Sequence, residues 1–293
     1  MDDKKISFIG AGRVGTSLSY LLKAKGYNVI GITSRSISSA ERAATFMGNS
    51  IAYSNDIFVF VEDSDIVFIT TNDDAVPYVA EGMSKNCEIR ENQIFLHTSG
   101  SLSSSVLKPL KERGGIIASL HPLQTVANPE EGIKNIVGSI FAIEGDERAI
   151  PVLKEMVKNL EGVPFHIPEE KKPLYHLAAV IACNYFVTLV DTSLEIFKNI
   201  SIDEEVGLEG LLKLVHGTMN NMERLGTKNA LTGPIARGDI ETVRGHLKAM
   251  KNFAPELTLL YKVLGDRTIK IAKEKGTLKA EDAKRLKELF SLS

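Results

Sequence analysis

The sequence predicts an α/β protein in which a doubly wound, mostly parallel sheet is followed by an all-α region. As far as about residue 167, short apolar runs alternate with helical or loop segments, a pattern typical of strand–helix–strand units. Beyond Pro168 only helical periodicity remains. We therefore expect two domains, 1–167 and 168–293, joined near the segment IPEEKKP.

The candidate strands are rich in Ile, Val and Phe, as expected for strands that are buried on both faces of a parallel sheet. They are Ile6–Gly10, Asn28–Thr33, Ile66–Thr70, Gln93–His97, Ile116–Leu120, Ser139–Ile143 and Val163–Ile167. The connections 71–92 and 100–115 are long enough for crossover helices.

The second region predicts helices over 173–198, about 203–226, 239–250, 255–275 and 280–290. Three residues mark helix ends in this region. Asp239 is suited to an N-cap, Pro255 to a first helical turn and Gly276 to a C-terminal stop.

Composition bounds the possible partners. The 293 residues are 43% hydrophobic and carry a formal net charge of −2, so real cores can form and no overall basic face favours nucleic acid. The two cysteines, Cys87 and Cys183, lack metal-ligand spacing, which predicts no metal site or disulfide and fits a reducing cytoplasm.

One apolar stretch, Leu174–Val190, is about as short as a membrane span can be. It contains His176 and Asn184, so we interpret it as a buried central helix. The N-terminus enters a strand without a signal-peptide core. These features predict a soluble, cytoplasmic protein without a membrane segment.

A glycine-rich turn follows the first strand: Gly10-Ala11-Gly12-Arg13-Val14-Gly15. Gly10 permits a tight turn, Gly12 lets the backbone approach a pyrophosphate, and Gly15 lets the helix pack closely on the strand. The free N–H groups at the helix start then face the phosphates. The turn predicts a Rossmann-type dinucleotide site; the alternative is a turn that only packs a helix against a strand.

The second strand ends in Ser34, Arg35 and Ser36, where an NAD site usually has an acidic residue. Two hydroxyls and a guanidinium would instead hold a 2′-phosphate, which favours NADP(H) as the cofactor. The alternative is that Arg35 is only a solvated loop residue. Thr70, Thr71 and Asn72 end a later strand and are expected to line the same cleft, although a plain loop would look similar.

Several candidate site residues follow the next two strands. Ser99 or Ser101 could cap a helix whose N–H groups suit a substrate carboxylate, or serve as a structural cap alone. His121 has an intrinsic pKa suited to proton transfer, but it could equally hydrogen-bond a loop carbonyl.

The apolar helix carries His176 near its start and Asn184 eight residues later, about 80° away in a regular helix. Asn184, Thr188 and Asp191 form a polar stripe that should face a cavity, a ligand, a partner or an internal network. In the loop LTGPIARGD, Arg237 could clamp a carboxylate, pair with Asp239 or lie in solvent.

Together the motifs GAGRVG, HTSGS, HPLQT, YHLAAVIACNY and LTGPIARGD resemble a family of Rossmann-like proteins whose C-terminal domain was long of unknown function. The wider group is similar to ketopantoate reductases, pyrroline-5-carboxylate reductases and 6-phosphogluconate dehydrogenases. The resemblance implies a C-terminal helical domain like that of the last of these, homodimerisation through it, and hydride transfer from NADPH to a carbonyl or imine carbon of a small molecule.

The resemblance makes ketopantoate the leading substrate, with Asn184 and Ser99 holding it. Better-known ketopantoate reductases begin this helix with a lysine followed by two asparagines at four-residue intervals, whereas this sequence has His176, Val180 and Asn184. The proton donor therefore stays open among His176, His121 and Lys172. The alternatives are an imine or deazaflavin-linked reductase, or a non-catalytic NADP(H)-binding sensor.

Overall fold

The computed structural model describes residues 4–48 and 51–291. Its contacts divide the chain into two compact units, and the division falls between Asn184 and Tyr185. This division lies beyond the expected domain boundary at 167/168, within the segment that the sequence predicts as one helix. The boundary of independently folding domains stays a prediction.

The first unit is built on an eight-stranded sheet with the order β3-β2-β1-β4-β5-β6-β7-β8. The strands are Lys5–Ile9 (β1), Asn28–Thr33 (β2), Ala52–Ser54 (β3), Ile66–Ile69 (β4), Ile94–His97 (β5), Ile116–Pro122 (β6), Ile140–Gly145 (β7) and Val163–His166 (β8). Among the described strands every pairing is parallel except β6 with β7. The predicted doubly wound, mostly parallel sheet is confirmed.

Helices cover both faces of this sheet. They are Arg13–Ala24 (α1), Ile37–Phe46 (α2), Val76–Asn86 (α3), Lys108–Lys111 (α4), Pro129–Ile136 (α5) and Ile150–Asn159 (α6), and a further helix, Lys172–Ala179 (α7), follows β8. Each face buries its own apolar cluster, one around Phe8 and Phe68 and the other around Val67 and Phe95. Burial on both faces explains why β4, with the sequence IVFI, is apolar at every position.

The second unit is helical. Its helices are Tyr185–Asn199 (α8), Glu204–Ala230 (α9), Pro234–Arg237 (α10), Ile240–Phe253 (α11), Thr258–Lys275 (α12) and Ala280–Phe290 (α13). Its core includes Val243, Ile269, Leu286 and Phe290. The fold class predicted from the sequence, an α/β region followed by a helical one, is confirmed.

The predicted helix ends agree with local chemistry. Asp239 caps α11 by accepting from the Thr242 N–H at 3.1 Å. Gly276 ends α12 with a φ of 80°, a left-handed conformation that favours glycine. Within α9, Gly226 has a φ of 73° and interrupts the helix where the sequence pattern ends. The short helix α10 lies in a segment that was expected to be a loop.

The interpretation of Leu174–Val190 as a buried central helix is wrong for the single chain. None of these residues is buried. The helical segment Glu169–Asn199 contains an 18-residue window with a mean hydropathy of 1.6, and it is long and apolar enough to cross a membrane by length and composition. It also contains a π-helical turn, Val180–Asn184, whose wider spacing alters the 80° angle expected between His176 and Asn184.

Candidate functional site

The turn between β1 and α1 is closely packed by backbone from two neighbouring strands. The Gly10 N–H donates to the Thr33 carbonyl at 2.8 Å, and Gly10 has a φ of 119°. A Cβ at Gly10 would lie 2.7 Å from the Thr70 carbonyl carbon, and one at Gly15 would collide with the Gly10 oxygen and Thr70 Oγ1. Only glycine fits these two positions.

A cavity of about 510 Å³ opens beside this turn. Seven of the residues predicted to bind cofactor line it: Gly10, Gly12, Ser34, Arg35, Thr70, Thr71 and Asn72. Strand order explains the clustering, because β1, β2 and β4 are neighbours and their carboxyl ends meet at one edge of the sheet.

The other four predicted cofactor residues have different surroundings. Gly15 packs against the turn, and Val14 packs against the core. Arg13 lines a second cavity of about 560 Å³, which shares Ala11, Gly12 and Ser39 with the first. Ser36 precedes α2, and its hydroxyl lies 2.9 Å from that of Ser38.

The lining of the first cavity has the chemistry that a dinucleotide requires. Gly12 leaves open space, because a Cβ there would contact only the Thr70 oxygen, at 3.9 Å. Thr71 Oγ1 is buried and has no hydrogen-bond partner among the described residues. The residues around the cavity include Arg35 and no carboxylate. This combination suits an anionic phosphate and a polar ligand group at Thr71.

A second group of polar side chains lies beyond the carboxyl ends of β5 and β6. His97 is fully buried, and its Nδ1 accepts from the Ser99 N–H at 3.2 Å. Its Nε2 therefore carries the proton and donates to the Ser103 carbonyl at 3.0 Å. Burial, assisted by the positive charge of Lys172, lowers the pKa of His97 to about 4.

Asp73 connects this group to the cavity. Its Oδ2 accepts from the hydroxyls of Ser99 at 2.7 Å and Ser101 at 2.8 Å, while the preceding residue, Asn72, lines the cavity. Ser99 Oγ also accepts from the backbone N–H groups of Ser101 and Leu102. Ser99 therefore stabilises a turn. The next helical segment is a 3₁₀ turn that begins at Ser104, so the expectation that Ser99 or Ser101 caps the next helix is wrong.

Two histidines converge on Gly100. A Cβ at this glycine would lie 2.7 Å from His176 Nδ1 and 2.8 Å from His121 Nε2. His121 Nδ1 lies 2.8 Å from the Tyr175 hydroxyl oxygen, and the two rings meet edge to face. His176 Nδ1 is buried and has no hydrogen-bond partner within residues 4–48 and 51–291. The structure thus brings His121 and His176 together, as candidates for one site.

Lys172 lies beneath this group and is only 1% exposed. Its Nζ donates to the Ser99 carbonyl at 2.9 Å and to Ser119 Oγ at 2.6 Å, and it lies 3.7 Å from Glu144 Oε1. Because three acceptors surround the ammonium group, Lys172 anchors the start of α7 to the sheet. Residues one turn later, Tyr175 and His176, share its helix face.

Burial sets the protonation states of the cluster. It lowers the pKa of His121 to about 4, with further contributions from Lys172 and His176, so that this imidazole is neutral near pH 7. Burial also lowers the pKa of Lys172 to about 8, against the opposing effect of Glu144, and raises that of Tyr175 to about 12.

Two further predicted residues lie on other segments of the chain. Asn184 lies at the end of the π turn and is exposed, and Arg237 is exposed at the end of α10 in the second unit. Their substrate roles stay predictions.

Asp73 ends the polar stretch that the sequence places at the carboxyl end of β4, but its contacts to Ser99 and Ser101 were not predicted. Sequence reasoning missed Tyr175 and Glu144: Tyr175 adjoins the predicted His176, whereas nothing near Glu144 in the sequence marks its contacts.

Fold and site together define a Rossmann-like protein with a helical C-terminal region. Residues 2–122 match the Rossmann-like domain model, and residues 139–268 match a domain of unknown function, DUF2520. The chain therefore combines these two domains, and the resemblance inferred from its motifs is confirmed. No curated protein matches the chain.

Solved structures with the same fold cover nearly the whole chain. A protein from Thermotoga maritima is 29% identical with a TM-score of 0.70, over 92% of this chain and 99% of that one. A 1-pyrroline-5-carboxylate reductase from Streptococcus pyogenes is 18% identical with a TM-score of 0.62, over 94% and 100%. A pyrroline carboxylate reductase from Plasmodium falciparum with NADP bound is 13% identical with a TM-score of 0.57, over 99% and 100%.

Proposed function

We propose that the chain is an NADPH-dependent oxidoreductase that reduces a carbonyl or imine carbon of a small molecule. The observation that carries this proposal is the cavity beside the glycine turn, which is lined by Ser34 and Arg35 and linked through Asn72 and Asp73 to a cluster of histidines. The structural similarity to reductases, one of them with NADP bound, supports the same function.

The cofactor-binding residues in this proposal are those of the cavity. The backbone at Gly12 and the start of α1 would hold the pyrophosphate, and Arg35 with Ser34 would hold the 2′-phosphate. NADPH, when bound, would supply the hydride. The chain's own residues then have to orient the substrate, exclude water and deliver a proton to the oxygen or nitrogen of the reduced bond.

We assign the proton delivery to the His121–His176 pair. Both rings approach Gly100, and His176 Nδ1 has hydrogen-bonding capacity that the described residues do not use. Lys172 does not fit the role, because its ammonium group is buried among three acceptors. Ser99, Asn184 and Arg237 remain the candidates for contacts to the substrate.

The substrate is tested by mixing purified protein with NADPH and a candidate substrate and following the loss of absorbance of the reduced nicotinamide. We expect turnover of ketopantoate with NADPH and much weaker turnover with NADH. The control substrate is pyrroline-5-carboxylate, and turnover of it instead would identify an imine reductase, as the similar structures suggest. Tight NADPH binding without turnover of either compound would contradict both and favour a sensor.

The cofactor is tested separately by fluorescence titration of NADPH and NADH. Arg35→Ala should weaken NADPH binding by about 10- to 100-fold, the value of a hydrogen bond to a charged group, and leave NADH binding nearly unchanged. The control is Arg113→Ala, an exposed arginine outside the cavity. Equal losses for both cofactors would contradict the assignment of the 2′-phosphate to Arg35.

We also propose that the protein is a soluble cytoplasmic homodimer that associates through its helical region. Helices α8 and α9 expose apolar side chains that a single chain leaves in water: Tyr185, Val187, Ile196, Val206, Leu212 and Leu214. Light scattering should give twice the chain mass, and Val187→Glu should shift it toward the monomer. The control Val59→Glu, at an exposed residue of the first unit, should leave the dimer intact.

A further inference from the structure

We propose that Tyr175 is a positioning residue, which donates its phenolic hydrogen bond to His121 Nδ1 and so keeps the proton of the neutral ring on Nε2, the nitrogen beside Gly100. This inference rests on the proposed function, in which the His121–His176 pair acts on the oxygen or nitrogen of the reduced bond. It adds the residue that decides which of the two ring nitrogens can donate.

The contact itself is well formed. The phenolic oxygen lies 2.8 Å from Nδ1, and the ring centroids are 5.5 Å apart at an interplanar angle of 85°. A neutral imidazole has one N–H and one acceptor nitrogen, so whatever occupies Nδ1 also fixes the chemistry of Nε2. The position of a single proton in this pair therefore decides whether Nε2 donates or accepts.

The direction of the hydrogen bond follows from the surroundings of the phenol. The raised pKa of Tyr175 keeps its hydroxyl protonated, and His121 Nδ1 is the acceptor that the described residues offer it. If Nδ1 donated instead, the phenolic proton would have no acceptor among those residues. Donation by Tyr175 satisfies both groups with one hydrogen bond.

The charges around His121 favour the neutral ring that this arrangement needs. Lys172 and His176 on α7 and His97 on β5 oppose a positive charge on His121, and burial acts in the same direction. Asp73, which follows β4, is the opposing group. A neutral His121 with Nε2–H can donate a hydrogen bond to a substrate oxygen or nitrogen and so stabilise the negative charge that develops there as the hydride arrives at carbon.

Helix geometry explains why Tyr175 can act on His121. The Lys172 ammonium group fixes the first turn of α7 to Ser99 and Ser119, and Tyr175 lies three residues later on the same helix face. Its ring also packs edge to face on Phe165, with centroids 5.7 Å apart. The phenol is thus held on two sides before any ligand binds.

The chain contains a matched control. In the second unit, His246 Nδ1 also lies 2.8 Å from a phenolic oxygen, that of Tyr261, with ring centroids 5.8 Å apart and an interplanar angle of 86°. This pair has the same geometry and no place in the proposed site. Tyr261→Phe therefore removes an equivalent hydroxyl from a residue that has no role in the proposed reaction.

The test is long-range ¹H–¹⁵N correlation NMR on protein labelled with ¹⁵N-histidine, which reads the tautomer of each ring without substrate or cofactor. The signals of His121 are assigned by their loss in His121→Asn. We expect Nε2–H in the native protein and a mixture or Nδ1–H in Tyr175→Phe. Tyr261→Phe should change the His246 signals alone.

Kinetics provide the second readout. In Tyr175→Phe we expect kcat to fall about two- to tenfold, the value of one hydrogen bond, with unchanged NADPH affinity and a displaced pH profile. Tyr261→Phe should retain kcat. If no substrate is turned over, the proposed function fails while the NMR result still decides the tautomer.

Two results would overturn the inference. One is an Nδ1–H tautomer of His121 in the native protein, a measurement that holds even if Tyr175→Phe does not fold. The other is an unchanged His121 tautomer in a folded Tyr175→Phe variant, which would leave Tyr175 with a packing role only.

Discussion

Lys172 Nζ lies 3.7 Å from Glu144 Oε1, and both side chains are almost completely excluded from water. The pair joins the start of α7 to β7, and Glu144 also accepts from the backbone N–H and the hydroxyl of Ser104. Together with the hydrogen bonds from Lys172 Nζ to Ser99 and Ser119, this buried ion pair connects the turn after β5 and strands β6 and β7 to the first turn of α7.

The ion pair predicts a large loss of stability when one partner is removed. Lys172→Met should lower the free energy of unfolding by about 3–5 kcal/mol, because the Glu144 carboxylate is left buried without its counter-charge. The double variant Lys172→Met/Glu144→Gln should recover part of this loss in urea unfolding. An unchanged free energy of unfolding in Lys172→Met, together with lost turnover, would instead support Lys172 as the proton donor.

Gly100 predicts a variant that damages the site more than the fold. In Gly100→Ala the new methyl group has to displace the imidazoles of His121 and His176, which it would otherwise approach to within 2.8 Å. We expect turnover to fall by about 10²-fold or more, as for a lost general acid, with NADPH affinity retained in fluorescence titration.

The matched control for this substitution is Gly245→Ala, in α11. A Cβ there meets nothing within 4 Å, and alanine should stabilise the helix by about 0.5–1 kcal/mol. Retention of full turnover in Gly100→Ala would contradict the assignment of the two histidines to the reacting centre.

The glycine turn predicts two different outcomes for neighbouring substitutions. In Gly12→Val the side chain should enter the open cavity, so NADPH affinity is lost while the thermal midpoint barely changes. In Gly15→Ala the methyl group collides with the Gly10 oxygen and Thr70 Oγ1, so both stability and NADPH affinity should fall. Calorimetry combined with NADPH titration separates the two effects, and equal losses of stability would argue against the open space at Gly12.

Buried neutral histidines predict a loss of stability in mild acid. The pKa values of His97 and His121 fall from 6.5 to about 4 in the folded chain, so the unfolded chain binds more protons between these pH values. The free energy of unfolding should therefore fall as the pH drops from about 6.5 to about 4, by about 3 kcal/mol for each histidine.

Urea unfolding at a series of pH values measures this dependence. In His97→Gln the free energy of unfolding should depend less on pH in the acid range. In the native protein, protonation of His97 breaks the hydrogen bond from the Ser99 N–H to Nδ1, and the variant lacks this step. His166→Gln, at an exposed histidine of β8, is the control and should keep the native slope. The same slope in both variants would contradict a neutral His97.

Local sequence patterns predicted most of the fold, since they act over a few residues. The apolar runs gave β1, β2 and β4 to within a residue or two, and Asp239 and Gly276 marked helix ends because capping needs particular side chains. The three-residue strand β3 escaped prediction, because its burial is weak and only its pairing with β2 defines it.

The site was predicted in part for the same reason. The glycine turn and the end of β2 form a local motif, so Gly10, Gly12 and Arg35 could be predicted from sequence alone. The Asp73–Ser99, His121–Tyr175 and Lys172–Glu144 contacts join residues that are 26, 54 and 28 positions apart. No local pattern records such pairings, and the exposure of Leu174–Val190 likewise depends on what the chain packs against.

The adjacency of Asn72 and Asp73 has a kinetic consequence. A ligand that moves the backbone at Asn72 also moves the carboxylate that holds the hydroxyls of Ser99 and Ser101, and with them the turn that carries Gly100. The dipeptide Asn72-Asp73 thus couples the binding of a ligand in the cavity to the arrangement of the His121 and His176 imidazoles. We expect an obligatory order of addition, in which the nucleotide enters first and the second ligand meets a turn that is already set.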